Sequence, residues 1–317
     1  MRAIVTGGTG FVGGHLVDLL LERECEVTVF GRNLEKLAQL SERSVEVFCV
    51  DLTDLNALRK VFKIVDVVFH CAALSDAWGD YQLFYTQNVI ASKNLLTLCE
   101  EIGVPKLIYV SSTSVYFDFR HRFNISEDEA LNYQFANYYA RSKREAEVLL
   151  LKTKKTTQVV IIRPRGILGK GDKSIKPRLI RIMQTGFFPL VNGGEAIVDL
   201  THVKNVALAL LLAANANNVD GECFNISNND PLSIKQILKY LPSDLIENVK
   251  FFNVSYRILF FIAFLLETFC SLLRLNEPVV TKYSVGLIGK SQVLNITAAR
   301  KKLKYEPHHS IRDALRD

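Results

Sequence analysis

The stretch GGTGFVGGH, residues 7–15, follows directly on the short apolar run Ala3-Ile4-Val5. Its glycines Gly7, Gly10 and Gly13 are spaced three apart, and an apolar helical pattern continues beyond them. Glycine permits a tight turn and a close approach of the backbone to a phosphate, while the unpaired N–H groups of a helix N-terminus supply donors and partial positive charge. The stretch therefore predicts a strand, a phosphate-binding turn and a helix, although its spacing alone would also fit an ordinary glycine turn.

The rest of the first half of the chain repeats this rhythm of apolar runs and longer helical patterns. Its runs are apolar at consecutive positions, which is typical of strands buried on both faces of a parallel sheet between helices. The sequence therefore predicts an α/β fold, a Rossmann-type doubly wound parallel sheet. The predicted strands are 2–6, 26–30, 45–50, 65–70, 106–111 and 158–163, with a later strand at 222–227.

Beyond residue 165 the alternation weakens and loops rich in Gly, Pro and Lys enter. We predict an NAD(P)-binding Rossmann domain over residues 1–165, completed by part of 196–228. The remaining residues, 166–317, are predicted to form a smaller, interleaved substrate-binding region with a hydrophobic helix near 257–274.

Composition restricts the class of protein. The chain has 317 residues, 49% of them apolar, and a net charge of +6 with scattered basic residues, so we expect neither disorder nor a nucleic-acid partner. Its six cysteines form no C-x-x-C pair, which favours free thiols and a reducing compartment. No secretory pattern precedes the first strand, and no histidine or cysteine set has metal-ligand spacing. A cytoplasmic protein without a metal site is expected.

Two later loops bear on the choice of dinucleotide. The second predicted strand ends Val29-Phe30-Gly31-Arg32-Asn33, without the acidic residue that would accept the ribose 2′-hydroxyl of NAD. The guanidinium group of Arg32 can form two hydrogen bonds to a 2′-phosphate of opposite charge, so NADP(H) is favoured over NAD(H). The alternative is that Arg32 faces solvent and binds no cofactor. Asp51 and Leu52 are predicted to meet the adenine ring. The small residues of HCAA, 70–73, permit close approach of a cofactor.

The chemistry is predicted from NYYARSKREAE, residues 137–147. Tyr139 alone among the tyrosines is followed by a lysine four residues on, Lys143. Positions i and i+4 share one helix face, so the ammonium group can stand near the phenol and favour the phenolate. A phenol with an ordinary pKa of about 10 would then exchange protons near neutral pH. Tyr138 has a serine at the matching position and is predicted to pack.

These motifs, with YVSSTSVY (109–116), RPRGILGKGD (163–172) and VDLTHVKNVA (198–207), resemble an extended short-chain dehydrogenase/reductase. Within that family the sequence is most similar to the branch of 3β-hydroxysteroid and sterol-4α-carboxylate 3-dehydrogenases. The resemblance implies that Tyr139 is the general acid/base and that Lys143 lowers its pKa and holds the nicotinamide ribose. It also implies that Ser112 hydrogen-bonds the substrate oxygen, with Ser111 as the competing assignment.

The resemblance also completes the predicted cofactor contacts. Asn88 matches a position that supports the active site in this family. The alternative interpretation is that Asn88 is a polar residue on an exposed helix face. The contacts predicted from the motifs and the resemblance together are Gly7, Gly10, Phe11, Val12, Gly13, Arg32, Asp51, Leu52, Cys71, Ala72, Ala73, Asn88, Tyr139, Lys143 and Pro164. Cys71 is not expected to act as a nucleophile or metal ligand, because its neighbours are apolar and no second ligand has a suitable spacing.

The predicted substrate depends on RILFFIAFLLETFCSLLR, residues 257–274, an apolar segment that Glu267 interrupts. The segment is too short for a confident membrane span. It predicts a helix that lies in the membrane interface or covers an apolar pocket. The alternative is a helix buried in the core. An interfacial helix and a helix over an apolar pocket both favour a lipophilic substrate, of the 3β-hydroxysteroid/sterol or β-hydroxy/β-keto acyl type. The predicted reaction interconverts a secondary alcohol and a ketone, and peripheral membrane contact is a further expectation.

Two other functions remain open at this point. Arg163, Arg165, Arg178 and Arg181 resemble the arginines with which nucleotide-sugar epimerases of the same superfamily hold a diphosphate. A non-catalytic NADP(H)-binding regulator is the lower alternative, because such proteins commonly lack the tyrosine and lysine that this chain has. The resemblance implies a homodimer through two helices on the face of the sheet.

Overall fold

The computed structural model describes residues 1–129, 131, 134–273 and 275–316. Its strands are β1 (Arg2–Thr6), β2 (Glu26–Gly31), β3 (Glu46–Cys49), β4 (Val67–His70), β5 (Lys106–Val110), β6 (Arg122–Ile125), β7 (Gln158–Pro164), β8 (Ile167–Leu168), β9 (Phe187–Val191), β10 (Ile197–Val198), β11 (Thr201–His202), β12 (Cys223–Ile226), β13 (Leu232–Ser233), β14 (Lys250–Val254) and β15 (Gln292–Leu294).

Helices follow most of the strands. They are α1 (Phe11–Glu22), α2 (Leu34–Ser41), α3 (Leu55–Val61), α4 (Tyr81–Phe84), α5 (Ala91–Ile102), α6 (Tyr138–Thr153), α7 (Ile175–Met183), α8 (Val203–Asn215), α9 (Ile234–Leu238), α10 (Ser243–Ile246), α11 (Tyr256–Leu272), α12 (Lys282–Gly289) and α13 (Ile311–Arg316). A π-helical turn, Tyr85–Ile90, joins α4 to α5, and a 3₁₀ turn, Thr113–Tyr116, follows β5.

The central sheet has seven strands in the order β12-β7-β5-β4-β1-β2-β3, and each neighbouring pair is parallel. All seven predicted strands are in it, so the predicted doubly wound sheet is confirmed. The strand order reverses between β1 and β4, where Thr6 pairs with His70. Ligands of such folds bind outside the carboxyl ends of the strands at this switch point.

Two apolar layers, one on each face of the sheet, explain why the predicted strands are apolar at consecutive positions. Val5 belongs to the layer that contains Leu16 of α1, whereas its neighbour Ile4 belongs to the layer that contains Leu95 of α5. Successive side chains of a strand point to opposite faces, so a strand between two helical layers must be apolar on both.

Smaller sheets lie beside the central one, and most of their strands come from the later part of the chain. β13, β10, β15 and β6 form a four-stranded sheet, and β11 pairs with β8 and β14 with β9. β12 returns to the edge of the main sheet beside β7, in parallel. The division of the chain at residue 165 stays a prediction.

α11, which covers most of the predicted hydrophobic segment, is a surface helix. Phe261 is 60% exposed and Leu272 is 80% exposed, whereas Ala263 is buried. The alternative of a buried core helix is therefore wrong, because apolar side chains of α11 face outward. None of the helices within the described ranges is long and apolar enough to cross a bilayer. Arg274, the end of the predicted segment, lies outside the described residues.

Candidate active site

The glycine turn after β1 forms a backbone cradle. Gly7 has a φ of +68°, and a Cβ atom there would lie 2.8 Å from the backbone of Ala72. A Cβ on Gly13 would lie 2.3 Å from the carbonyl oxygen of Gly7. α1 begins at Phe11, and its N-cap residue Gly10 makes no side-chain capping bond. The cradle that side chains would fill, together with the uncapped helix N-terminus, fits the pyrophosphate of a dinucleotide.

Gly7→Ala should therefore weaken dinucleotide binding, with a roughly tenfold or larger rise in Kd. The methyl group meets backbone of Ala72, and its positive φ costs about 1–2 kcal/mol for a non-glycine residue. Gly103→Ala is the matched control, because Gly103 has a φ of +80° with nothing within 4 Å of its Cβ position. Calorimetric titration with NADP⁺ measures both variants. Equal losses in the two variants would mean that backbone strain, and not the cradle, is responsible.

The end of β2 carries positive charge close to the glycine turn. Arg32 is exposed, and its Nη1 donates to Oε1 of Gln87 at 3.1 Å. The ammonium group of Lys36, in α2, donates to the carbonyl oxygen of Thr9 at 3.1 Å. Sequence reasoning had singled out Arg32 and missed Lys36, which helical spacing after Arg32 could have identified. Asp51 lies near Arg32. Burial acts to raise the pKa of Asp51, but effects that include the charge of Arg32 outweigh it, and the pKa is lowered.

The loop after β4 packs on the glycine turn. The N–H of Ala72 donates to Oγ1 of Thr6 at 3.3 Å, and Ala73 beyond it is exposed. Burial raises the pKa of the Cys71 thiol to about 12. Such a thiol is not a nucleophile near neutral pH. His70 is buried between Thr6 and Ser92, and burial lowers its pKa to about 3.

Asn88 is buried, so the alternative of a polar residue on an exposed helix face is wrong. Its Oδ1 accepts from the N–H of Leu74 at 2.8 Å. Its Nδ2 donates to the carbonyl oxygen of Leu74 and to Oγ of Ser142, at 3.0 and 2.8 Å. The residue lies on the π-helical turn, a feature that often occurs at functional sites. Asn88 thus ties the loop after β4 to α6.

Tyr139 is in the first turn of α6. Asn137 caps this helix by accepting from the N–H of Ala140 at 2.8 Å. Burial raises the pKa of Tyr139 to about 12, while a hydrogen bond with the Ser112 side chain acts to lower it. Ser112 itself is the N-cap of the 3₁₀ turn after β5, so its position is fixed by backbone. The site therefore brings Tyr139 and Ser112 together.

Ser111, the alternative to Ser112, and Tyr138, the neighbour of Tyr139, make other contacts. Ser111 is buried beside Glu147, whose pKa its side chain acts to lower. Tyr138 is 48% exposed, and its ring packs against Tyr81 with 5.5 Å between centroids. The prediction that Tyr138 packs is consistent with this position.

Lys143 is buried one turn after Tyr139. Its Nζ donates to the carbonyl oxygen of Val110 at 2.6 Å and lies 4.4 Å from the ring centroid of Tyr109. Burial lowers its pKa to about 7, against the opposing charge of Glu147. The ammonium group is thus directed at β5. The pKa of Tyr139 is raised, where the sequence predicted a lowering, because burial outweighs the hydrogen bond with Ser112.

The four arginines considered for a diphosphate differ in burial and in partners. Arg163 makes a two-bond pair with Glu147, with Nε to Oε1 at 2.8 Å and Nη2 to Oε2 at 2.7 Å, and both side chains are at most 2% exposed. Arg178 pairs with Glu277 at 2.7 Å near the surface, and Arg181 is exposed. Arg165 is buried, and Asp199 acts on it electrostatically.

Tyr283, on α12, is the principal residue that sequence reasoning missed. It interacts electrostatically with both Tyr139 and Arg165. No motif marks it, because its segment is joined to the site only by folding. The remaining predicted contacts lie around the cradle: Phe11 and Val12 in the first turn of α1, Leu52 after β3, and Pro164 at the end of β7.

The pattern of the NAD dependent epimerase/dehydratase family matches residues 3–227. The chain is 31% identical to the mouse (Mus musculus) "Sterol-4-alpha-carboxylate 3-dehydrogenase, decarboxylating", covering 99% of this chain and 89% of the relative. It is 32% identical to the "2-alkyl-3-oxoalkanoate reductase" of Stenotrophomonas maltophilia, covering 100% and 98%.

A solved structure with the same fold is that of the UDP-glucuronic acid 4-epimerase from Bacillus cereus in complex with NAD. It superposes with a TM-score of 0.76 at 22% identity, covering 99% of this chain and 94% of the epimerase. At this identity the likeness supports the fold of the chain and carries no conclusion about substrate.

Proposed function

Because the chain belongs to the NAD dependent epimerase/dehydratase family, whose members include the extended short-chain dehydrogenases/reductases, we propose that it interconverts a secondary alcohol and a ketone on a lipophilic substrate. The substrate is of the 3β-hydroxysteroid/sterol or β-hydroxy/β-keto acyl type. The observation that carries the proposal is the contact between Ser112 and the Tyr139 hydroxyl at the carboxyl end of the sheet.

An aromatic series supports a lipophilic substrate. Tyr283 packs against Phe117 with 5.6 Å between ring centroids, and Phe117 packs against Phe119 at 5.1 Å. Phe119 continues to Phe260 of α11 at 5.4 Å. The rings connect the neighbourhood of Tyr139 to the apolar helix. A lipophilic substrate bound along these rings would remove its apolar surface from water.

In the proposed reaction the chain's own residues position the substrate and move one proton. The nicotinamide supplies the carbon that gives or takes a hydride. Ser112 donates a hydrogen bond to the substrate oxygen, and Tyr139 gives that oxygen a proton in reduction or removes it in oxidation. The backbone cradle at Gly7 and the N-terminus of α1 would hold the pyrophosphate. Lys143 would hold the nicotinamide ribose.

The test is turnover by the purified protein with NADP(H) and NAD(H) on 3β-hydroxysteroids, 3-ketosteroids and long-chain 3-hydroxy acids. Oxidation or reduction of a lipophilic member of this panel, lost in Tyr139→Phe, is the expected result. The nucleotide-sugar epimerase remains the alternative, and the pairing of Arg163 and Arg178 with carboxylates reduces its support. Tight binding of UDP-glucose without turnover of any lipid alcohol would contradict the proposal and favour that alternative.

The cofactor preference is proposed to be NADP(H) over NAD(H). Arg32 and Lys36 lie next to the glycine turn, and the 2′-phosphate is the group that distinguishes the two cofactors. We expect Arg32→Gln to raise KM for NADP(H) by roughly 10- to 150-fold, the range for a hydrogen bond to a charged group. KM for NAD(H) serves as the internal control and should change little. Equal changes for both cofactors would contradict the preference.

The exposed apolar face of α11 is proposed to contact a membrane surface. Ile258, Phe261, Phe269 and Leu272 are all more than half exposed. We expect the full chain to sediment with phosphatidylcholine/phosphatidylglycerol vesicles, and serine at Phe261, Phe269 and Leu272 together to abolish sedimentation. Ile64→Ser, which alters an exposed apolar residue elsewhere, is the control. A concentration-dependent dimer that the triple variant dissociates would instead assign the face to a second copy of the chain.

A further inference from the structure

Glu267 is the acidic residue that interrupts the apolar segment of α11, and it lies on the packed face of that helix. Its side chain is 16% exposed, whereas Leu265 and Phe269 on either side of it are 50% and 57% exposed. Ala263, one turn earlier on the face of Glu267, is buried. A surface helix ordinarily turns its charged residues to water and its apolar residues to the core. This inverted placement of a carboxylate calls for a partner beneath α11.

The partner is the first turn of α12. Oε1 of Glu267 accepts from the backbone N–H of Lys282 at 2.7 Å, and its Oε2 lies 3.2 Å from Nζ of the same residue. Lys282 is the first residue of α12, where the backbone N–H groups have no partner within the helix. A carboxylate at this end of a helix is favoured by the helix dipole and makes a charge-assisted hydrogen bond. Glu267 therefore ties α11 to the beginning of α12.

α12 lies between the apolar helix and the segment that follows Ser112. A Cβ atom on Gly289, at the end of α12, would lie 2.5 Å from Cδ2 of Tyr256 in α11. A Cβ atom on Gly286 would lie 2.7 Å from Cζ of Phe117. Phe117 directly follows the 3₁₀ turn that Ser112 caps. The two glycines thus let α12 pack closely on α11 at one side and on the neighbourhood of the reacting groups at the other.

Tyr283 carries this arrangement into the site. It follows Lys282 directly, so the contact with Glu267 sets where its ring lies. The ring meets Phe117 at 5.6 Å between centroids and at an angle of 87°, and the phenol interacts electrostatically with that of Tyr139. Segments with few packed contacts open most easily, and one face of α11 is exposed. The position of Tyr283 therefore depends on the polar contact at the start of α12.

We propose that Glu267 is a positioning residue for the reaction. Through the first turn of α12 it holds the Tyr283 ring beside Tyr139, as a wall of the substrate site. An aromatic ring at this position packs on the apolar body of a substrate whose oxygen lies at Ser112. A misplacement of about 1 Å can lower a rate by about 10²-fold, so the position of such a wall matters. This inference rests on the proposed function and adds a residue that shapes its substrate site.

The first test separates the substrate site from the dinucleotide site. Glu267→Leu should lower kcat/KM for the lipophilic alcohol by roughly 10- to 100-fold, chiefly through KM, because a displaced wall weakens substrate binding. Kd for NADP⁺ should stay the same, since the cradle after β1 is untouched. Glu267→Gln keeps an acceptor for the N–H of Lys282 and should recover most of the loss.

Glu222→Leu is the matched control for Glu267→Leu. Glu222 pairs with Lys302 at 2.6 Å and precedes β12, so this ion pair lies at the amino end of a strand, away from the reacting groups. The control should keep kcat/KM. Loss of NADP⁺ affinity by the same factor as kcat/KM in Glu267→Leu would show a general disturbance of the fold and overturn the assignment.

A double-mutant cycle tests whether Glu267 acts through Tyr283. Tyr283→Leu removes the ring and should itself lower kcat/KM for the lipophilic alcohol by roughly 10- to 100-fold. With that substitution in place, Glu267→Leu should change kcat/KM by less than about twofold, because the group that it positions is gone. An ion pair that only stabilises the fold would lower activity independently of Tyr283. Losses that multiply in the double variant would therefore overturn the assignment.

Binding of a ketone with the oxidised dinucleotide keeps the inference distinct from the proposed function. NADP⁺ cannot reduce 3-oxododecanoate or 5α-androstan-3-one, so calorimetric titration measures their affinity without turnover. Binding that Glu267→Leu and Tyr283→Leu both weaken, without turnover of any alcohol, would support the positioning role in a ligand site and contradict the oxidoreductase. Turnover with an unchanged KM in Glu267→Leu would retain the oxidoreductase and overturn the positioning role. Failure of both ketones to bind the wild-type protein would overturn both.

Discussion

Tyr139→Phe should lower kcat for alcohol oxidation and for ketone reduction by about 10² to 10⁴, the usual contribution of a positioned general acid/base. The substitution removes a single oxygen, the one in contact with Ser112, and leaves the ring to pack in place. KM and the affinity for the dinucleotide should change little, because neither depends on the proton. Steady-state kinetics and calorimetric titration measure these quantities. Tyr138→Phe, at the exposed neighbour, is the control and should retain activity.

The pH dependence of the same reaction gives an independent check. Oxidation needs the deprotonated phenol, and burial raises the pKa of Tyr139 to about 12. Below that pKa the deprotonated fraction rises about tenfold per pH unit. kcat/KM for oxidation should therefore rise with pH, whereas reduction, which needs the protonated phenol, should not. The residual activity of Tyr139→Phe should lose this rise. An unchanged profile in the variant would assign the proton transfer to another group.

Arg163→Met should lower the free energy of unfolding by about 3–5 kcal/mol, the usual cost of removing one partner of a buried ion pair. Glu147 would be left as a buried carboxylate with Arg144, at 3.0 Å, and Ser111 as its remaining partners. The Tyr116 hydroxyl would also lose the donor Nη1 of Arg163, at 2.5 Å. Tyr116 donates in turn to Oδ1 of Asn225 on β12. One substitution thus disturbs the contact of α6 with the edge of the sheet.

Urea unfolding measures this loss, and a surface pair provides the comparison. Arg59 and Glu101 are joined at 2.8 Å with both side chains more than two-fifths exposed. Arg59→Met should cost at most about 1 kcal/mol, because water screens an exposed pair. The double variant Arg163→Met with Glu147→Leu should recover part of the loss by removing the second charge. Equal costs at Arg59 and Arg163 would contradict the assignment of a buried pair.

Acid should weaken this pair in a defined direction. Burial acts to raise the pKa of Glu147, but the charge of Arg163 outweighs it and holds that pKa below its ordinary value. The pair's contribution is therefore complete above the pKa of the unfolded chain, about 4.3 for a glutamate, and is lost as the pH falls through the folded value. Stability at neutral pH includes the whole contribution.

The sequence by itself determined the sheet and the positions of the two residues predicted to react. Consecutive apolar positions marked strands buried on both faces, and the spacing of Gly7, Gly10 and Gly13 marked the turn after β1. The four-residue spacing placed Tyr139 and Lys143 on one helix, which is α6 in the structure. Such features are local, since they depend on the repeat of one helix or strand and on burial.

The tertiary structure alone decided how charges are paired and which surfaces are left open. Nothing near Arg163 in the sequence marks its buried partner, because Glu147 comes from another element. Tyr283 comes to Tyr139 on a distant helix, and the exposed face of α11 depends on how little of the chain packs over it. Pairing and exposure depend on contacts between residues far apart in the sequence, which no local repeat records.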